Sequence, residues 1–252
     1  MQPNLAVNLY SVHSFCQTPE DITETLKTVK AIGYEYVQLS GLGPICPEHL
    51  KALLDVTGLK ACATHVSWDR LKADPDIIIA EHKVLECPNC AIGGLPADYV
   101  GFDGYRRFAE ESKIIGKKLL ESGIPFAFHN HYDVFTRENG RTGMEVIYED
   151  SDPRYLFGEI DTYWVQYGGA DPAYWINKLA GRQKIIHLKD MRIYDHKQID
   201  AEVGEGNLNW PVILKACADA GIEYYIVEQE DFISDPFESI ALSLKNLKNM
   251  LK

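Results

Sequence analysis

The sequence predicts an α/β protein of the (β/α)8 TIM-barrel class, a single domain over residues 1–252. Three observations carry that expectation. Short β-rich runs alternate with helical stretches from end to end, with no Ser/Gly-rich linker between them. Eight such strand–helix units in 252 residues suit a closed barrel of roughly 250 residues better than an open doubly wound sheet. An open dinucleotide-binding sheet would also carry a glycine-rich turn after its first strand. Here that strand runs into Leu9-Tyr10-Ser11-Val12-His13, with no such turn.

The strand runs span 5–10, 36–40, 59–66, 89–93, 125–130, 155–161, 183–189 and 224–228. Several are continuously apolar, as expected of parallel strands covered on both faces. Thr18-Pro19-Glu20-Asp21 opens the first helix with an N-cap, a proline and first-turn acids, ahead of Ile22, Leu26 and Val29. Gly33 stops it, and Gly58, Gly123 and Gly221 hold the same stop position before later strands. Ser234-Asp235-Pro236 opens the last helix, whose apolar face reads Phe237, Ile240, Ala241, Leu244, Leu247 and Leu251.

Composition narrows the function. With 25 basic and 37 acidic residues the net charge is −12, which repels a polyphosphate backbone, so no nucleic-acid partner is expected. No apolar run approaches the roughly 20 residues of a membrane span. Met1-Gln2-Pro3-Asn4-Leu5 lacks a basic n-region and a long apolar h-region, which leaves the cytoplasm as the default expectation. Cys87 and Cys90 have CxxC spacing without a second pair to complete a zinc ribbon, so the six cysteines are expected to be reduced and structural.

In such barrels chemistry gathers where strands end. The fifth run ends His129-Asn130-His131, the sixth Glu159-Ile160-Asp161, the seventh His187-Leu188-Lys189-Asp190 and the eighth Glu228-Gln229-Glu230. The third adds His65. A lone histidine or carboxylate at a strand end is commonly structural or a helix cap. Joint delivery by adjacent strands points instead to pairing or a metal, because uncompensated buried charge is costly. Asp161, His187 and Glu228 are the core of the expected metal set.

The sequence resembles the xylose isomerase-like TIM barrels, the sugar phosphate isomerase/epimerase superfamily, which also holds D-tagatose 3-epimerase, inosose dehydratase and endonuclease IV. The resemblance runs over nearly the whole chain. It rests on segments such as Ile32-Gly33-Tyr34-Glu35-Tyr36-Val37, His187-Leu188-Lys189-Asp190 and Val203-Gly204-Glu205-Gly206-Asn207-Leu208-Asn209-Trp210. It implies one divalent metal held by residues of strands five to eight, where many members present Glu, Asp, His and Glu. Asp161, His187 and Glu228 match the last three. The strand-five position falls on His129, with His131 as the alternative, where the family has glutamate. Trp164 is a second departure, standing where the family often has a histidine three residues after the aspartate.

Two imidazoles and two carboxylates suit Mn²⁺ or Zn²⁺, then Co²⁺ or Fe²⁺. The resemblance implies an isomerase or epimerase acting on a small keto sugar through a metal-stabilised enediolate. Glu228 or His131 would serve as base, and Lys189 would donate to a developing alkoxide. His65, His13, Trp68, Trp164 and Arg192 are the expected substrate contacts, with Arg192 suited to a carboxylate or phosphate. A lyase or dehydratase on a keto sugar or keto-inositol is the enzymatic alternative, and a non-catalytic carbohydrate-binding barrel the alternative of another class. A homo-oligomer is compatible with all three.

Overall fold

A computed structural model describes residues 2–252. Eight parallel strands close into a barrel in sequence order: β1 (Asn4–Asn8), β2 (Tyr36–Leu39), β3 (Lys60–His65), β4 (Cys90–Ile92), β5 (Phe126–His129), β6 (Phe157–Asp161), β7 (Gln183–Leu188) and β8 (Tyr224–Val227). β8 pairs back onto β1, Val7 opposite Val227. The strands stop up to two residues short of most of the apolar runs. At β1 the chain leaves the sheet at Leu9 into a 3-10 turn, because the Asn8 side chain accepts the Tyr10 N–H. Two short hairpins interrupt the alternation, Arg137–Glu138 with Arg141–Thr142 and Asp190–Tyr194 with Lys197–Ala201.

Side-chain alternation along each strand sorts the residues into two environments. Outward positions such as Val7, Val37, Phe126, Phe128, Ile186 and Val227 join the helices in the main core. Inward positions form a narrow second core of Ala6, Cys62, Ala63, Ala91, Ala127, Ile185 and Ile226. Small side chains there let the barrel close without a central void. The next inward residues up β1, β2, β5, β7 and β8 are Asn8, Gln38, His129, His187 and Glu228, all buried. The barrel is thus apolar below and polar at its C-terminal mouth.

The six cysteines are free, and all but Cys46 are buried. Burial pushes the Cys90 thiol up to about 12, so the CxxC pair offers no reactive thiolate. No described helix is long and apolar enough to cross a membrane.

Candidate active site

Four side chains from four adjacent strands converge at the mouth: His129, Asp161, His187 and Glu228. One ligand-type atom from each lies within 4.8 Å of all the others. His129 Nε2 is 3.3 Å from Asp161 Oδ2 and 3.8 Å from Glu228 Oε2. His187 Nδ1 is 2.9 Å from Glu228 Oε2 and 3.8 Å from Asp161 Oδ2. A four-coordinate cation with bonds of about 2.0–2.1 Å sets its ligands about 3.4 Å apart, in the middle of this spread.

The partners of the remaining atoms decide whether a cation fits. His129 Nδ1 faces the Gly93 carbonyl at 3.3 Å, which assigns its proton to that nitrogen. His187 Nε2 faces Gln38 Oε1 at 2.6 Å and Glu159 Oε1 at 3.2 Å, so its proton sits there. Glu228 Oε1 accepts from Asn8 Nδ2 at 2.8 Å, and Asp161 Oδ1 accepts from the Trp164 N–H at 3.0 Å. Every outward atom is satisfied, and four acceptors are left aimed at one point. Such a set could hold a divalent ion, with its outer partners in place. Without an ion the charges are strained: burial and Glu228 hold Asp161 well above the usual carboxylate range. Burial alone would lower His187, but Glu228 and Glu159 outweigh it and raise it well above the usual imidazole range. Burial keeps His129 well below that range.

A second group, His65, Glu159 and His187, lies just beneath, and it is wired differently. Glu159 accepts from His65 Nε2 at 2.8 Å and from Gln38 Nε2 at 2.7 Å, and Ser40 Oγ lies 3.2 Å from His65 Nδ1. Donors and acceptors alternate along this chain, so it closes on itself without a cation. It also fixes the Gln38 amide, because a flipped amide would set its oxygen against the Glu159 carboxylate. Gln38 thereby holds the His187 proton on Nε2 and leaves Nδ1 free. Replacing Gln38 by Met should weaken divalent-metal affinity about 10–100-fold, the usual cost of losing an outer partner. Chelator competition on the purified variant checks this, and unchanged affinity would show that His187 needs no such orienter.

Beside the converging atoms lies a cavity of about 210 Å³ whose lining includes Tyr10, Ser40, His65, His131, Glu228 and Glu230. It is smaller than the about 300–1,000 Å³ of drug-sized sites, so it suits a small ligand. The β4 end is glycine for a reason: a Cβ on Gly93 would meet His65 Nδ1 at 2.8 Å, and one on Gly94 would meet the His131 ring at 2.9 Å. His131 stands edge-on to Trp164, ring centroids 5.3 Å apart, and burial lowers its basicity. Lys189 is fully buried, ion-paired to Glu230 and 3.4 Å from Asp200, with its ammonium 4.9 Å from the Trp164 ring. Glu228 and the other carboxylates outweigh burial and hold Lys189 protonated.

Three expected substrate contacts fall elsewhere. Trp68 opens the helix Trp68–Ala73 behind its Ser67 cap, turns away from the mouth and packs between Phe126 and Phe108. His13 is exposed and stacks on Tyr10, outside the cavity lining. Arg192 sits on the hairpin after β7, paired with Glu202 at 3.3 Å. Glu159, Gln38, Asn8, Asp200 and Glu230 are the members of the site that the reading of the sequence passed over.

No protein-family model matches the chain. Curated relatives include the inosose dehydratases of Geobacillus thermodenitrificans, 25% identical over 142 residues, and of Clostridium beijerinckii, 23% over 168 residues. These matches cover 49% and 60% of this chain and 47% and 56% of the relatives, so the chain spans about half of their length. Among solved structures, a sugar phosphate isomerase/epimerase from Parabacteroides distasonis superposes with a TM-score of 0.84 at 22% identity, over 100% of this chain and 96% of that one. An L-ribulose 3-epimerase superposes with a TM-score of 0.77 at 15% identity, over 99% and 95%. By fold, the chain is a (β/α)8 TIM barrel similar to these structures.

Proposed function

We propose that the protein is a metal-dependent isomerase or epimerase of a small keto sugar. The observation that carries this reading is the convergence of His129 Nε2, Asp161 Oδ2, His187 Nδ1 and Glu228 Oε2, four buried acceptors beside a polar cavity of about 210 Å³. Mn²⁺ or Zn²⁺ suits two imidazoles with two carboxylates, and Co²⁺ or Fe²⁺ would also serve. Such an ion polarises a ketone and eases removal of the neighbouring proton.

The chain's own groups supply the rest. Glu228 reaches both the cavity and the acceptor cluster, so it is placed to take a proton from the carbon beside the carbonyl. His131 lies on the β5 side of the same cavity and is the second proton carrier, returning a proton to the other face. Lys189 keeps its charge, and its ammonium lies 4.0 Å from Glu228 Oε2, close enough to steady negative charge that builds at the mouth. Trp164, set edge-on against His131, closes the side of the site and limits water.

A second reading is a dehydratase acting on a keto-inositol or keto sugar. It is supported by the names of the curated relatives and by imidazole at strand five, since a protonated His131 can assist a departing hydroxyl. Both readings begin with the same proton abstraction. Metal-loaded protein incubated in D₂O with a panel of keto sugars and a keto-inositol separates them. Deuterium at one carbon with water retained supports isomerisation or epimerisation, and an unsaturated ketone absorbing in the ultraviolet supports dehydration. No exchange into any ligand that binds would remove both.

A further inference from the structure

We infer that the ligand of this cavity is an uncharged sugar or polyol, and that the site is built to reject phosphate esters. The inference rests on the functional reading above and adds the charge class of the substrate. TIM barrels that take phosphorylated ligands commonly grip the phosphate with backbone N–H groups of the loops after strands seven and eight. Here the chain's own side chains, mostly carboxylates, already hold those groups.

After β7, the buried Asp190 side chain fills the nest formed by the loop ahead of the helix Trp210–Ala220. Its Oδ1 accepts from the Met191 and Leu208 N–H at 2.7 and 3.2 Å. Its Oδ2 accepts from the Gly204 and Gly206 N–H at 2.9 and 3.0 Å, and from the Trp210 indole at 2.5 Å. A Cβ at residue 206 would lie 2.3 Å from Asp190 Oδ1, so Gly206 is the residue that lets the carboxylate in. Backbone nests of this kind bind anions, and this one is plugged from within.

After β8, three successive N–H groups are likewise taken. Ser11 Oγ accepts from Gln229 at 3.0 Å, and Asp200 Oδ2 accepts from Glu230 at 2.7 Å and Asp231 at 3.2 Å. The cations are committed as well. Lys189 is enclosed by Glu230 and Asp200, and Arg192 is paired with Glu202. The cavity lining contains no lysine or arginine and two carboxylates, Glu228 and Glu230. A phosphate group would meet two carboxylates and no lysine or arginine side chain in this lining, so no cation there would offset its lost hydration. Sugar hydroxyls suit the same wall, because they donate to carboxylates and imidazoles at no cost in charge.

The test compares each neutral sugar with its own ester on the metal-loaded protein. Calorimetric titration of D-fructose against D-fructose 6-phosphate, and of D-tagatose against D-tagatose 6-phosphate, keeps the ketone and its neighbouring hydroxyl constant. The ester is expected to bind at least tenfold more weakly than the parent in both pairs. An ester that binds as tightly as its parent in either pair, or the failure of both parents to bind, overturns the inference. Deuterium exchange is scored separately on the same samples. Sugars that bind without exchange would sink the proton-abstraction reading while the ratio of affinities still judges this one.

Discussion

Glu228→Gln alone is expected to release the metal, and Glu228→Gln combined with Asn8→Asp to retain it while losing proton transfer. The reason lies in hydrogen-bond direction. Glu228 Oε1 accepts from Asn8 Nδ2, and Asn8 cannot turn its amide over, because its Oδ1 accepts the Tyr10 N–H at 3.0 Å. A glutamine at 228 therefore gives its oxygen to Asn8 and aims its NH₂ group at His187 Nδ1 and the other acceptors. An aspartate at position 8 accepts from both Tyr10 and that NH₂ group, which returns the glutamine oxygen to the cluster. The two changes together conserve net charge. The double variant should bind the keto sugar within about tenfold of wild type, or about 1.4 kcal/mol. Its deuterium wash-in should fall at least about a hundredfold, the lower end of a general-base contribution. Metal content by mass spectrometry and exchange by NMR check both halves. Undiminished exchange in the double variant would make Glu228 a ligand alone and move the base to His131.

The barrel was legible because burial on both faces leaves its mark as eight apolar runs, and the rim because charged residues close those runs. Strand parity carried more than was drawn from it. His129 and His131, Glu159 and Asp161, His187 and Lys189, and Glu228 and Glu230 are each two residues apart, so alternation carried past the strand ends puts each pair on one side of the chain. Asp161 pointing inward therefore required Glu159 to do so as well, one layer deeper. Gln38 and Asn8 were harder to see. Amides carry no charge to mark them, and only barrel closure brings β1 and β2 beside β7 and β8. Trp68 misled in the opposite direction, since a strand-end position does not say which way the chain turns next. The Ser67 cap sends it straight into a helix, with the indole facing the outer core. The hairpin after β7 lies between two apolar runs, and only the folded chain shows its Asp200 reaching back to the β8 end.

The departure from the family pattern at strand five leads to the other large effect. His129 and His131 lie on the same side of the chain, yet the structure gives them different surroundings. His129 points Nε2 into the acceptor cluster and is anchored on Gly93 through Nδ1. His131 stands over Gly94 against Trp164, at the cavity wall. His129→Gln should therefore reduce metal affinity by more than the about 10–100-fold expected for loss of an outer partner, because it removes a donor from the cluster itself. His131→Gln should leave that affinity within about twofold while lowering deuterium exchange about 10²–10⁴-fold, as removal of a proton carrier does. Thermal unfolding with and without metal reads the first effect independently of turnover, since an ion that binds only the folded state raises its stability with concentration. Equal metal loss in both variants would mean that strand five acts through the shape of its loop. Loss in neither would leave three ligands and water to hold the ion, and the histidine at position 129 would then be a wall of the cavity.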